Sequence, residues 1–320
     1  MEYSACAAGK MPAAVKKFSH GGSLLPVLAA IAGNTFWGFS FLFTRAALGV
    51  AHPNVLLSVR FILAFLGMNA MLLLGKGRIS LKGKKIWPLF ALGSMDLLYF
   101  FFESYGVLYT NSTFAGVVLA AVPVVAMALA ALLLKEYPTR RQVFFSFLPV
   151  IGVIVITISG SAMGVISPAG VLLLLGACLV SAFFRILNRK FALEYTPFER
   201  TYFCILCSSI VFTLAAFRSV GWSFTEYIRP VFDPQFILPV ITLSIFCSIL
   251  SNLMVNYAAG RLSVFKLAAF GTISTVWSMF AGVLFLNEPI TPASFAGSLL
   301  ILIGISLVTR APRGAVIQKA

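Results

Sequence analysis

Residues 115–134 read AGVVLAAVPVVAMALAALLL, twenty consecutive positions without a charged side chain. At helical rise, a run of this length crosses the hydrocarbon core of a bilayer, about 30 Å thick. A membrane β-strand would be roughly half as long and would alternate apolar with polar residues. This run does not alternate. Similar runs recur along the whole chain of 320 residues, 60% of them hydrophobic and 10% charged. An ordinary soluble domain carries about 25% charged residues. The pattern predicts an all-α polytopic membrane protein with no separate water-soluble domain.

The formal net charge of +15 does not indicate nucleic-acid binding, because the basic residues fall mainly between the apolar runs. That distribution is the topological signature of a membrane protein, whose cytoplasmic loops are rich in Lys and Arg. Ten spans are expected, at 24–45, 54–74, 86–108, 112–134, 143–159, 169–190, 198–217, 235–257, 264–286 and 292–309. The first is read as a retained span rather than a cleaved signal peptide, since Asn34 and Trp37 lead into a longer segment ending at Arg45. With the N-terminus inside, eighteen of the 24 Lys and Arg fall on the inner side, Arg200 among them. Arg45, Arg218 and Arg229 fall outside, while Arg60, Arg185 and Lys266 lie within spans. Both termini are therefore expected in the cytoplasm. The longest outer connection, 218–234, reads as an irregular loop. Cys6, Cys178, Cys204, Cys207 and Cys247 show no metal-ligand spacing. The CxxC at Cys204 and Cys207 sits inside an apolar run, where cysteine packs as a small hydrophobe.

The chain repeats itself. Leu134-Lys135-Glu136-Tyr137-Pro138-Thr139 and Leu286-Asn287-Glu288-Pro289-Ile290-Thr291 lie 152 residues apart. The same offset matches Tyr105 with Tyr257 and Gly152 with Gly304, and Pro53 matches Pro197 at an offset of 144. This divides the chain into a cytoplasmic segment 1–23, a first repeat 24–160, a second repeat 161–309 and a cytoplasmic tail 310–320. Five helices per repeat would invert the second in the membrane, the architecture of many secondary transporters.

At this point the chain resembles the drug/metabolite transporter superfamily, in particular its ten-helix EamA-type members. The resemblance rests on NTFWGFSF at 34–41, PVVAMALAALLLKEYPTRRQ at 123–142 and FLNEPIT at 285–291. It covers roughly residues 24–309. It implies two five-helix repeats with a central route between them, and substrates ranging from amino acids and sugars to nucleotide sugars and drug-like compounds. The second half departs from the pattern: ACLVSAFF at 177–184 lacks counterparts of Trp37 and Gly38.

Charges inside spans are the sharpest functional signal, since hydrocarbon does not solvate them. Asp96 and Glu103, seven residues apart, share one face of the third span. They are candidates for proton coupling or gating, together with Arg60, which by depth is expected to contact Glu103. Arg185, Asn188, Asn252, Asn256, Tyr257 and Lys266 gather in the inner half of the second repeat. Arg185 and Lys266 suit a carboxylate or phosphate, although a structural or gating network reads equally well. Trp37, Tyr105, Phe183, Tyr257 and Trp277 are candidate aromatic contacts with a solute. Glu136, Thr139, Glu288 and Thr291 read as helix caps or repeat hinges.

The expectation is an alternating-access secondary transporter of small metabolites, with an amino-acid exporter as one candidate, in a bacterial inner or plasma membrane. The alternatives are an organic-anion or phosphate-ester exchanger, and a membrane receptor or assembly protein that transports nothing. No nucleophile–base pair, metal cluster or nucleotide loop points to an enzyme, and no cofactor is expected. The partners are a small solute and membrane lipid. A monomer and a homodimer are equally compatible with the sequence.

Overall fold

The computed structural model describes residues 24–109, 118–119, 121–133, 138–159, 167–274, 277 and 292–310. These residues form helices α1 (Leu24–Leu48), α2 (Pro53–Leu73), α3 (Trp87–Tyr109), α4 (Val122–Leu133), α5 (Arg140–Ser159) and α6 (Pro168–Phe191). There follow α7 (Pro197–Ser219), the short α8 (Phe224–Ile228), a 3-10 turn (Arg229–Phe232), α9 (Pro234–Ala259), α10 (Val264–Gly271) and α11 (Pro292–Arg310). The molecule is an all-α polytopic membrane protein. Among the described residues, α1, α2, α6, α7 and α9 are long and apolar enough to cross a bilayer by themselves. The terminal segments, the start of the fourth expected span and most of the ninth beyond Ser274 lie outside the described residues.

Local chemistry sets the helix ends. Pro53, Pro168, Pro197 and Pro234 each occupy the first turn, where the missing amide hydrogen loses no helical bond. Thr196 opens α7 with a capping box: its hydroxyl accepts from the Glu199 amide at 3.2 Å, and Glu199 accepts from the Thr196 amide at 2.8 Å. Thr139 and Gln142 exchange the same pair of bonds at the start of α5, at 3.3 and 3.0 Å. Gly75, with φ of 69°, ends α2. Lys76 N–H donates to Met71 O at 2.9 Å and Gly75 N–H to Leu72 O at 3.1 Å, the paired bonds of a Schellman turn.

The 218–234 connection is not irregular. Ser223 accepts from the Glu226 amide to start α8, and Asp233 accepts from the Gln235 amide at 2.8 Å to start α9. These two caps convert what read as a loop into two short turns. Within α9, residues Leu243–Leu250 are wound as a π-helix. Such segments widen a helix and recur at functional sites.

The helices pack in reciprocal pairs. α3 lies along α6 and α1 along α9, α2 lies along α7, and α5 lies along α11. The α5–α11 crossing is close because Gly152 and Gly304 face the partner helix. A Cβ at Gly152 would stand 2.5 Å from Gly297 O, and one at Gly304 would overlap Pro149. The largest apolar cluster joins α2, α3 and α7 with α8 and α9 through Phe61, Phe100, Phe212, Tyr227 and Phe236.

Candidate functional site

A cavity of about 510 Å³ opens between α1, α2, α3, α4, α6 and α10. Helical periodicity brings its lining together. Trp37, Ser40, Thr44 and Leu48 come from α1, and Pro53, Leu56, Leu57 and Arg60 from α2. Asp96, Tyr99, Phe100, Glu103 and Ser104 come from α3, and Ser181, Phe184, Arg185 and Asn188 from α6. Each set recurs at intervals of three or four residues, one face of a helix turned inward. Six of the candidate residues therefore meet here: Trp37, Arg60, Asp96, Glu103, Arg185 and Asn188.

The four charged groups are committed to different degrees. Arg60 is 4% exposed and its Nε donates to Ser248 Oγ at 2.8 Å. Its guanidinium lies 5.3 Å from the centre of the Phe100 ring and 5.6 Å from that of Phe61. Its own carbonyl accepts from Ser244 Oγ at 2.8 Å. Among the described residues, no ion pair within 4.0 Å joins Arg60 to Glu103. The two share the cavity and act on each other electrostatically, but the π-helical segment of α9 supplies the hydroxyl that Arg60 binds. Glu103 interacts with Tyr99, one turn earlier on α3. Asp96 is 6% exposed, and its Oδ2 has no hydrogen-bond partner. Arg185 reaches Leu267 O at 3.5 Å through one terminal nitrogen, and its Nε has no partner. The guanidinium fits against α10 because residue 271 is glycine: a Cβ there would stand 2.9 Å from an Arg185 terminal nitrogen. The carbonyl end of α10 also favours a cation.

The remaining candidates are held elsewhere. Asn256 is 1% exposed; it accepts from Asn188 at 2.6 Å and donates to Thr201 Oγ1 at 2.7 Å. Asn252 donates to Ser248 O at 2.9 Å within its own helix. Tyr257 carries the Arg261 guanidinium over its ring at 3.8 Å. Tyr105 donates to Asn54 Oδ1 at 3.1 Å. Trp277 packs against Phe39 in a tilted pair with ring centres 5.6 Å apart, and Phe183 is exposed on α6. Lys266, half-buried on α10, is not among the lining residues. Thr139 caps α5, whereas Glu136, Glu288 and Thr291 lie outside the described residues.

Arg200 corrects its expected place on the inner surface. The Thr196–Glu199 capping box starts α7 early enough to turn Arg200 inward, and it is 1% exposed. Its terminal nitrogens donate to Asn188 O at 2.9 Å, to Asn188 Oδ1 and to Asn256 O at 2.6 Å. Beside it, Glu199 accepts from Ser80 N at 2.8 Å and from Lys84 Nζ at 3.1 Å. Tyr99 and Gly271 were also not singled out from the sequence. Tyr99 had a signal, since it sits on the Asp96–Glu103 face. Gly271 had none, because its role depends on a helix distant in sequence.

The EamA-like transporter family model matches residues 24–158 and 168–310. The chain belongs to the EamA-like transporter family. That assignment makes it a membrane transporter rather than an enzyme. An uncharacterized Bacillus subtilis (strain 168) transporter, YcxC, is 33% identical over 282 residues, spanning 87% of this chain and 90% of its own. A Salmonella typhimurium (strain LT2) protein named as a probable amino-acid metabolite efflux pump is 24% identical, spanning 84% of this chain and 89% of its own. A crystal structure at 20% identity superimposes with a TM-score of 0.73, covering 89% of this chain and 96% of the other, and so shares the fold.

Proposed function

We propose that this EamA-family chain is an alternating-access secondary transporter that exports an amino-acid-sized metabolite through the central cavity. The observation that carries the reading is the cavity itself: four charged side chains line one space between apolar helices, a placement that marks a solute or ion route. The name of the Salmonella relative supports an amino-acid-sized solute.

Support for two inverted five-helix repeats, and hence ten spans, comes from reciprocal packing. With helices 1–5 exchanged for 6–10, the α3–α6 pair becomes the α1–α9 pair, while α2–α7 and α5–α11 map onto themselves. Rocking such halves about a shared site exposes it alternately to each side. The lining runs from Leu48 and Pro53, at a connection read as external, down to Asn188, which Arg200 holds. This supports a cavity reached from outside and sealed inside.

The test is flux in sealed vesicles loaded with a metabolite panel, read in both directions by mass spectrometry with and without a pH gradient. Wild type moves at least one solute, and Ser181→Trp, which fills the cavity, stops it. A folded, membrane-inserted wild type that moves nothing rejects the proposal. In a cysteine-less background, Lys82→Cys should label from the cytoplasm and Thr225→Cys from outside. The reverse pattern rejects the orientation.

A further inference from the structure

Resting on the transporter reading above, we infer that the cavity is built for a zwitterion held in one orientation, with its ammonium at Asp96 and its carboxylate at Arg185.

The lining charges cancel formally, two carboxylates against two guanidiniums, but they are not evenly distributed. Arg60 lies in the fields of both Glu103 and Asp96. The groups that act on Arg185 are Tyr99 and Cys178, neither of them a carboxylate. Two acids thus act on Arg60 and none on Arg185, although all four groups line the same cavity. A dipolar solute complements that division, whereas a simple anion or cation meets a like charge.

Hydrogen bonding leaves two lining side chains, Asp96 and Arg185, incompletely satisfied by the chain. Arg60 is occupied by Ser248 and the two phenyl rings, and Glu103 lies in the field of Arg60 with Tyr99 beside it. Asp96 Oδ2 and Arg185 Nε are buried without a partner. Orphaned polar atoms in a low-dielectric interior are costly, and native structures retain them where a ligand completes them. Oδ2 lacks a donor and Nε lacks an acceptor. A protonated amine suits the Asp96 carboxylate and a carboxylate suits the planar Arg185 guanidinium fork, both of which line the cavity. The same cavity is lined by Trp37, Phe100, Leu56, Leu57 and Phe184, an apolar wall for the rest of the solute. Gly271 is a positioning residue: a Cβ there would stand 2.9 Å from an Arg185 terminal nitrogen and push the end of that side chain aside.

The test uses the full-length protein in nanodiscs and a panel of the common L-amino acids, each with its decarboxylated amine and its deaminated acid. Binding is read by Trp fluorescence and thermal shift, because free amines cross bilayers unaided. The best zwitterion should bind about ten- to a hundredfold more tightly than either one-ended analogue. Asp96→Asn should remove the preference over the deaminated acid, and Arg185→Gln the preference over the amine. Gly271→Ala, a milder change, should weaken zwitterion and acid together and leave the amine unaffected. Arg185→Lys, which keeps the charge, should retain part of the preference over the amine. Equal binding of zwitterions and one-ended analogues by folded wild type would overturn the inference. So would vesicle flux confined to uncharged or singly charged solutes, although transport itself would then stand. Absence of all flux instead removes the transporter reading beneath it.

Discussion

Two regions of the molecule bury charge, and they do so in opposite ways. Below the cavity floor, Arg200 spends its terminal nitrogens on the carbonyls of Asn188 and Asn256, and Glu199 gathers two backbone amides and Lys84. In the cavity, Asp96 and Arg185 each leave an atom unpartnered, and between them lies space for a solute rather than protein. Burial alone therefore does not mark function. Arg200 Nε is also unpartnered, but both its terminal nitrogens are bound by the chain and hold helices together, whereas Asp96 and Arg185 stand beside an empty volume and are poised for something that arrives.

The comparison breaks most visibly at Arg200. Arg200→Met strands three acceptors where α6, α7 and α9 meet, and is expected to cost roughly 2–4 kcal/mol. A lowered melting temperature in detergent checks this; an unchanged one would mean the cluster is not structural. Asp96→Asn and Arg185→Gln should do the reverse. Each loses about tenfold or more in solute affinity while stability stays within about 1 kcal/mol of wild type, since neutralising an unpaired buried charge relieves its desolvation. Melting both proteins alongside binding assays separates the two classes of residue.

Much of this was legible beforehand. The runs that became α1, α2, α3, α6, α7 and α9 begin and end within a few residues of their expected limits, because continuous hydrophobicity and first-turn prolines are local signals. Asp96 and Glu103 were legible as one helical face for the same reason. Lys266 was grouped with Arg185 by depth alone. Depth does not say which way a side chain turns, and Lys266 is not among the lining residues. Arg200 was misplaced because its burial depends on carbonyls 12 and 56 residues away. The partnering of Arg60 with Ser248 rather than Glu103 depends on the π-helical winding of α9, for which no residue pattern in the sequence was read.

Smaller effects sharpen the contrast. Glu199→Gln weakens the link between the Ser80–Lys84 loop and α7. It should cost about 1 kcal/mol, because Lys84 is 27% exposed and its pairing is screened. Denaturation at low and high salt checks this: the difference between variant and wild type should shrink as salt rises. Trp37→Phe removes the indole N–H bond to Cys247 O, 3.0 Å long, that ties α1 to the π-helical segment. A loss of about 1 kcal/mol or less in stability is expected. Lys266→Gln should leave solute affinity within about twofold of wild type; a larger loss would return Lys266 to the binding site.

The most direct measurement is flux of the metabolite panel through wild type, Asp96→Asn and Arg185→Gln in sealed vesicles, with folding verified by melting temperature. Wild type should move its solute, while both variants, folded and inserted, should lose that movement. Wild-type rates in the two folded variants would contradict the assignment of the incomplete charges to the solute.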